Sequence, residues 1–367
     1  MREVFMVRQK RRGFVFFISL TVLCWLLSYS LFMVERTIET VRSALDMFAH
    51  SILPSLALFS VCAKLIVKLG LTKKLASLPL AGFLRFLGMS AGGFTAFLIG
   101  SFAGFPTGAA MLAELCERGE ISKREAESLL PFCNQAGIAF LFGTVGGVML
   151  RDVRMGMILF LAQTITAWIC VCLTAHERRD GALGFVTGEF SSPSWISAIT
   201  VSVRECAFSM IGVGGFVVFF SLIGTALFDT LTAIGFSLND LFRSVVGGLL
   251  EISCGFRILS EGDFSQKIEL ILAGIFLGVG GCSVFLQAVE KTESFFFSPK
   301  KYWKGKALAG IICPIFTQLF FILCEKEDGK KLMIVSFASI FCISYFLNYV
   351  KIKFFSKKCG KMKRNAV

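Results

Sequence analysis

Charge is scarce in this 367-residue sequence: Asp, Glu, Lys and Arg together make up 17% of it, where a soluble domain carries about a quarter. Histidine is nearly missing, with only His50 and His176, far apart. The 13 cysteines form no C-x-x-C pair and lie mostly inside apolar runs, so metal-ligand spacing is lacking. No G-x-x-x-x-G-K-[ST] or H-E-x-x-H occurs, which removes nucleotide-driven transport within this chain and the common zinc-hydrolase chemistry. Polar aromatics are also few, with Trp 4 and Tyr 4 against Phe 41. These gaps set the expectation of a non-enzyme without a resident cofactor or metal.

What the sequence holds instead is long runs without any charge: residues 13–34, 86–113, 128–150, 155–175, 206–228, 270–289, 307–324 and 332–350. A helix needs roughly 20 apolar residues to cross the hydrocarbon, and soluble cores do not repeat such runs. Phe tolerates lipid contact without a polar handle. The fold class read from this is all-α, a polytopic integral membrane protein embedded in a lipid bilayer. Spans are expected near 14–34, 47–69, 83–103, 129–150, 155–175, 206–228, 241–257, 268–290, 307–324 and 332–350, about ten transmembrane segments. Those at 83–115 and 241–259 read as broken or re-entrant.

The net charge of +13 sits at the tips rather than on a nucleic-acid face. Residues 1–13 form a basic N-terminus before a first span at 14–34, and 351–367 a basic tail after a last span at 332–350. Cationic flanks face the cytoplasm, so both termini are expected there, with no nucleic-acid partner. The uncharged run at 13–34 is too long for the core of a signal peptide and lacks a cleavage site behind it, so it reads as a retained span. A polar stretch at 176–195 links two halves, 45–175 and 196–325.

The halves match in order. Each opens with a lead-in broken at a small or imino residue, at Ser51-Ile52-Leu53-Pro54 and at Ser209-Met210-Ile211-Gly212. Each next carries a glycine-punctuated segment, Gly100 to Gly108 and Gly247 to Gly255. A charged turn follows, then a polar break inside an apolar run: Asn134-Gln135-Ala136-Gly137 and Gly280-Gly281-Cys282-Ser283. Gly108 to Asn134 spans 26 residues, and so does Gly255 to Gly281. Paired breaks in a repeat point to the central site of a transporter, because in lipid an interrupted backbone survives only where protein or a wet cavity satisfies it.

Candidate site residues follow from the breaks. Pro106 suits the first turn of a half-helix, and the N–H groups of Thr107, Gly108 and Ala109 would favour an anion there. The alternative is close helix packing through Gly100, Gly104 and Gly108. Glu251 is an ionisable group at depth, a cation ligand or proton carrier, unless it snorkels or pairs with Arg243 or Arg257. Asn134, Gln135, Ser283 and Gln287 offer polar groups at the later breaks, whereas Gln163 and Gln318 read as interhelical bonds. Ser122-Lys123-Arg124-Glu125 reads as a capping box with a solvated charged face.

The stretches Gly100 to Gly108, Gly119-Glu120-Ile121-Ser122, Pro131-Phe132-Cys133-Asn134 and Gly143-Thr144-Val145-Gly146 are similar to the first motif of the Gate, or nucleoside-recognition, domain. Leu250-Glu251-Ile252 with Gly255, followed by Gly280 to Gln287, resembles the second-half motif of YlbJ-type sporulation integral membrane proteins. The resemblance covers roughly residues 45 to 325 and makes the two halves Gate-like repeats. It implies a secondary transporter-like protein that moves a small anionic substrate, dipicolinate first, across a membrane of the developing spore. A nucleoside or divalent-metal permease, or a non-transporting assembly factor for the spore envelope, are the alternatives. A homo-oligomer or a partner membrane subunit is compatible with each.

Overall fold

The computed structural model describes residues 2–70, 87–178, 194–293, 295 and 297–326. The last expected span at 332–350, the basic tail at 351–367 and most of the 176–195 linker lie outside the described residues. Every regular element among the described residues is helical.

Helix α1, Arg2–Phe32, takes up the basic N-terminus and the first span together. Helix α2 (Val34–Met47), a π-helical turn (Phe48–Ile52) and α3 (Leu53–Lys68) follow as one continuous rod. The wide turn lies just ahead of Pro54, whose missing N–H and bulky ring cannot fit a regular ladder. Its expected counterpart at Ser209 to Gly212 is not a break. Helix α8, Trp195–Ala233, runs through it for 39 residues. Glycine keeps its N–H, so the ladder survives. Gly212 lies beside the Glu290 carboxylate, its Cβ position 3.5 Å away, and one half-turn on a Cβ on Gly214 would stand 2.9 Å from the Phe48 ring.

The glycine-punctuated segments are helical hairpins. In the first half α4 (Ala91–Ala103) turns at residues 104–106 into α5 (Thr107–Glu117). In the second, α9 (Asp240–Leu250) turns at the single residue Glu251 into α10 (Ile252–Glu261). The arms of each hairpin touch backbone to backbone, which only glycine permits. A Cβ on Gly100 would lie 3.1 Å from the Gly108 Cα, and one on Gly255 only 2.3 Å from the Gly248 Cα.

Each hairpin is followed by an interrupted helix and then a long one. In the first half these are α6 (Lys123–Cys133), a π-helical segment (Phe140–Met149) and α7 (Val153–Leu173). In the second they are α11 (Gln266–Val279), α12 (Gly281–Lys291) and α13 (Pro299–Lys326). Helix α13 runs antiparallel to α11 through a small-residue seam, Gly274 on Pro314 and Gly278 on Ala309 and Gly310. Its first turns reach the other half, where Gly305 meets Pro131.

Five stretches among the described residues are long and apolar enough to cross a membrane, with shorter apolar helices at Phe16–Phe32, Ala91–Ala103 and Phe140–Met149. Their outward faces expose Phe17, Leu31, Phe208 and Ile211, a surface suited to lipid rather than water. The protein is therefore an all-α polytopic membrane protein.

The Ser122 cap forms, its Oγ accepting the Glu125 N–H at 3.2 Å. The expected solvated face holds for Lys123 and Arg124, which are exposed, but not for Glu125, which is buried. Its carboxylate crosses to α4 and accepts from the Ser90 N–H at 2.7 Å and hydroxyl at 2.9 Å. Burial pushes the Glu125 carboxyl above its ordinary range, and the two Ser90 donors oppose the shift. Arg178, also buried, holds the Leu87 carbonyl at 2.9 Å, the Ser128 hydroxyl at 2.9 Å and the Val171 carbonyl, which ties α6 and α7 together.

The hairpin geometry makes a sharp contrast between glycines. Gly255→Ala drives a methyl into the Gly248 backbone and should cost about 1–3 kcal/mol. Gly215→Ala meets nothing within 4 Å and should be neutral or stabilising by up to about 1 kcal/mol. Thermal unfolding of the purified protein in detergent checks both; equal midpoints for the two variants would contradict the packing described.

Candidate functional site

The four expected breaks exist, and they meet. In the first half Gly104, at φ 83°, lies against Gly137, where its Cβ would stand 2.4 Å from the Gly137 nitrogen. The Phe105 N–H donates to the Gln135 carbonyl at 2.7 Å. In the second half Gly281 lies under the hairpin tip, with its Cβ position 2.9 Å from the Gly248 carbonyl oxygen. Both hairpin tips thus seat on the interruption of the helix that follows them. A chain of edge-on rings, Phe105 to Phe140 to Phe256 to Phe276, runs between the halves at centroid spacings of 6.2, 6.5 and 5.9 Å.

The Asn134 to Gly137 interruption shows how its backbone is satisfied away from water. The Asn134 N–H donates to Leu130 at 3.2 Å and the Gly137 carbonyl accepts from Leu141 at 3.0 Å. Gln163 on α7 clasps Ala136 from both sides, accepting its N–H at 3.1 Å and donating to its carbonyl at 2.9 Å. The Asn134 carbonyl accepts from Lys306 Nζ on α13 at 2.8 Å. Gln163 is thus the interhelical bond its sequence position suggests, and so is Gln318, which donates to the Lys267 carbonyl at 2.9 Å.

All nine candidate residues are buried. Pro106 stands at the N-cap of α5, one position before the first helical residue, after a cis Phe105–Pro106 bond. The Thr107 and Gly108 N–H groups both donate to the Gly104 carbonyl, at 2.9 and 3.4 Å. The Thr107 hydroxyl turns to Ser60 on α3 at 2.9 Å. Gly108 packs on the Cys133 carbonyl, which a Cβ would overlap at 2.0 Å, and Ala109 is fully enclosed. The close-packing role weighed for these glycines is therefore present.

Asn134 spans the halves, its Nδ2 lying 3.5 Å from the Val284 carbonyl on α12. Beside Val284, Ser283 accepts from Gln287 Nε2 at 3.2 Å. Gln135 Nε2 donates to Ser101 at 3.2 Å and to the Phe132 carbonyl. Glu251 is the C-cap of one hairpin arm and the N-cap of the other, its Oε2 accepting the Cys254 N–H at 2.8 Å. Beyond Cys254 opens a cleft of about 240 Å³ walled by Arg36, Asp229, Asp240, Arg243, Arg257 and Glu261. The structure therefore joins Pro106 to Ala109, Asn134, Gln135, Ser283 and Gln287 through one set of contacts. Glu251 joins from the far side of the Gly281 contact.

Acceptors remain unspent. Gln135 Oε1 and Gln287 Oε1 are buried without a hydrogen-bond partner, and the buried Tyr302 hydroxyl meets the Asn134 side chain. Each such group costs about 1–3 kcal/mol, and native proteins keep few of them without a reason. Lys306, which the sequence reading did not nominate, is 2% exposed and makes one hydrogen bond, to a neutral carbonyl. Burying an ammonium costs several kcal/mol, and one such bond returns about 1.5–3. The available signal was its place on the buried stripe Tyr302, Lys306, Ala309, Cys313 and Thr317.

Gln163→Leu keeps the side-chain bulk but strands the Ala136 N–H and carbonyl, so it should lower stability by about 1–3 kcal/mol for each orphaned group. Thermal unfolding in detergent is the readout, and an unshifted midpoint would show that the clasp carries nothing.

No family model and no solved structure matches the chain. It is similar to "Sporulation integral membrane protein YlbJ" of Bacillus subtilis (strain 168), 25% identical over 323 residues that cover 78% of each chain. The likeness runs across most of both chains and agrees with the polytopic helical architecture above.

Proposed function

We propose that the protein is a secondary transporter-like carrier that moves a small anionic solute, with dipicolinate as the first candidate, through the junction of its two halves. The observation that carries this reading is the convergence of four helix interruptions on one interior zone that holds unspent amide oxygens. A kink that served only packing would need none of them. The two halves also share one order of elements, a long helix, a hairpin, an interrupted helix and a long helix, which supports two Gate-like repeats with a solute site between them. The relative's name ties it to sporulation, and we take the same setting for this chain, in a spore-forming cell with both termini cytoplasmic.

Alternating access in such a carrier needs the hairpin tips to part from the interruptions they seat on. Glu251 is suited to gate the second half because it is the whole turn of its hairpin and caps one arm. The first-half tip turns instead on Gly104, Phe105 and Pro106, so the two gates need not respond to the same signal.

Proteoliposomes carrying the purified chain should take up labelled dipicolinate saturably, with nucleosides failing to compete. Glu251→Gln retains an oxygen for the Cys254 N–H, so it should stay folded in the membrane while uptake falls about tenfold or more. Unchanged uptake by that variant would remove the gating role. Folded wild-type protein that transports neither solute would favour an assembly function in the spore envelope.

A further inference from the structure

We propose that the Lys306 ammonium is the carboxylate-binding centre of the solute site and that its partner is an aromatic carboxylate; the assignment rests on the anion-carrier reading above. Lys306 lies seven residues inside α13, about 10 Å along the helix axis from Pro299. A lysine so near a helix end ordinarily snorkels to the interface. This one points inward, fully enclosed, and its Nζ meets the Asn134 carbonyl of the first half at 2.8 Å. On the second-half side, a Cβ on Gly280 would stand 3.4 Å from the same Nζ. Gly280 and Gly281 both adopt positive φ, so the backbone bends past the ammonium with no side chain between them. The charge thus lies where the interruptions of the two halves meet.

An ammonium has three donors, and the Asn134 carbonyl takes one. Among the described residues no carboxylate takes another. Glu125 is engaged by Ser90, Glu127 by Lys301 and the Ser298 N–H, and Glu251 by the Cys254 N–H. The Tyr302 hydroxyl, which interacts with the Asn134 side chain, adjoins Lys306, and the Tyr302 ring centroid is 5.9 Å from Nζ. A carboxylate would take the free ammonium donors and a hydroxyl proton together. Tyr302 in turn packs with Phe285 at 5.3 Å and Phe297 at 5.6 Å, a wall suited to a flat ring.

A purely structural lysine would serve to cap the last turn of α6 through the Asn134 carbonyl, and the two roles separate experimentally. Dipicolinate, benzoate and the uncharged dicarboxamide of pyridine would be titrated against the purified full-length chain, with thermal unfolding and calorimetry as readouts. The wild type should bind the carboxylates and not the amide. Lys306→Met should unfold no earlier than the wild type without ligand, since it removes an uncompensated charge, yet lose the ligand-induced shift and at least about 100-fold in affinity. If Lys306→Met does not fold, Lys306→Gln, which keeps a donor for the Asn134 carbonyl, is judged by the same loss. Equal carboxylate binding by wild type and variant would overturn the assignment and leave the carrier reading standing. A wild type that binds no carboxylate would overturn the anion-carrier reading and the assignment with it.

Discussion

Lipid offers no hydrogen bonds, so a helix that stops inside a membrane protein must find partners for its freed backbone within the protein. That constraint governs the centre of this molecule. The Asn134 to Gly137 interruption is held from three directions: by the Phe105 N–H of the hairpin tip, by the Gln163 amide and by Lys306. The first hairpin tip, the long helix α7 and the long helix α13 are therefore fixed against one another by the needs of one short stretch of backbone. The glycines serve the same end. A Cβ at Gly104 or Gly108 would hold the hairpin off the carbonyls it must reach.

The two halves answer the constraint differently. In the first, the interruption is long, and donors from outside α6 satisfy it. In the second, it is reduced to Gly280, which bends the chain with a left-handed φ of 79° and restarts a helix at once. The hairpin turns invert this economy. The first spans residues 104–106, while the second is Glu251 alone in an extended conformation. Both halves bring polar side chains to the junction, Asn134, Gln135 and Gln163 from the first and Ser283, Gln287 and Lys306 from the second.

Much of this was legible in the residues because breaks leave marks. Glycines spaced to face one another across a tight turn, at Gly100 and Gly108 and at Gly248 and Gly255, have no use in a straight lipid-facing helix. Asn134-Gln135 inside an apolar run is equally conspicuous. The reading failed where a mark had another cause. Ser209 to Gly212 looked like a break, yet Gly212 lies beside the Glu290 carboxylate, and a glycine need not interrupt a helix whose ladder is intact. Glu125 looked solvated because its neighbours Lys123 and Arg124 are exposed, but one helical step turns it onto Ser90. Lys306 was hidden by the same logic in reverse. As the last charge before an apolar run it reads as an anchor at the interface, and only the stripe it shares with Tyr302 and Cys313 shows that it faces inward.

The distribution of charge around the junction completes the picture. Acidic side chains buried in the described core are each matched locally: Glu125 to Ser90 and Glu251 to the start of its own helix. Neutral donors hold each carboxylate directly, and an arginine lies near each, Arg178 by Glu125 and Arg257 by Glu251. The cation at the junction has no such matching. An interior that supplies donors for its carboxylates but only one neutral acceptor for its ammonium carries a local excess of positive potential. In a low-dielectric setting that excess is screened weakly. In the proposed carrier such a charge would favour an anion over a cation at the place where the two halves meet, through the same side chain that closes the backbone of α6. The side chain that caps α6 through the Asn134 carbonyl is thus also the one on which the proposed preference for an anion depends.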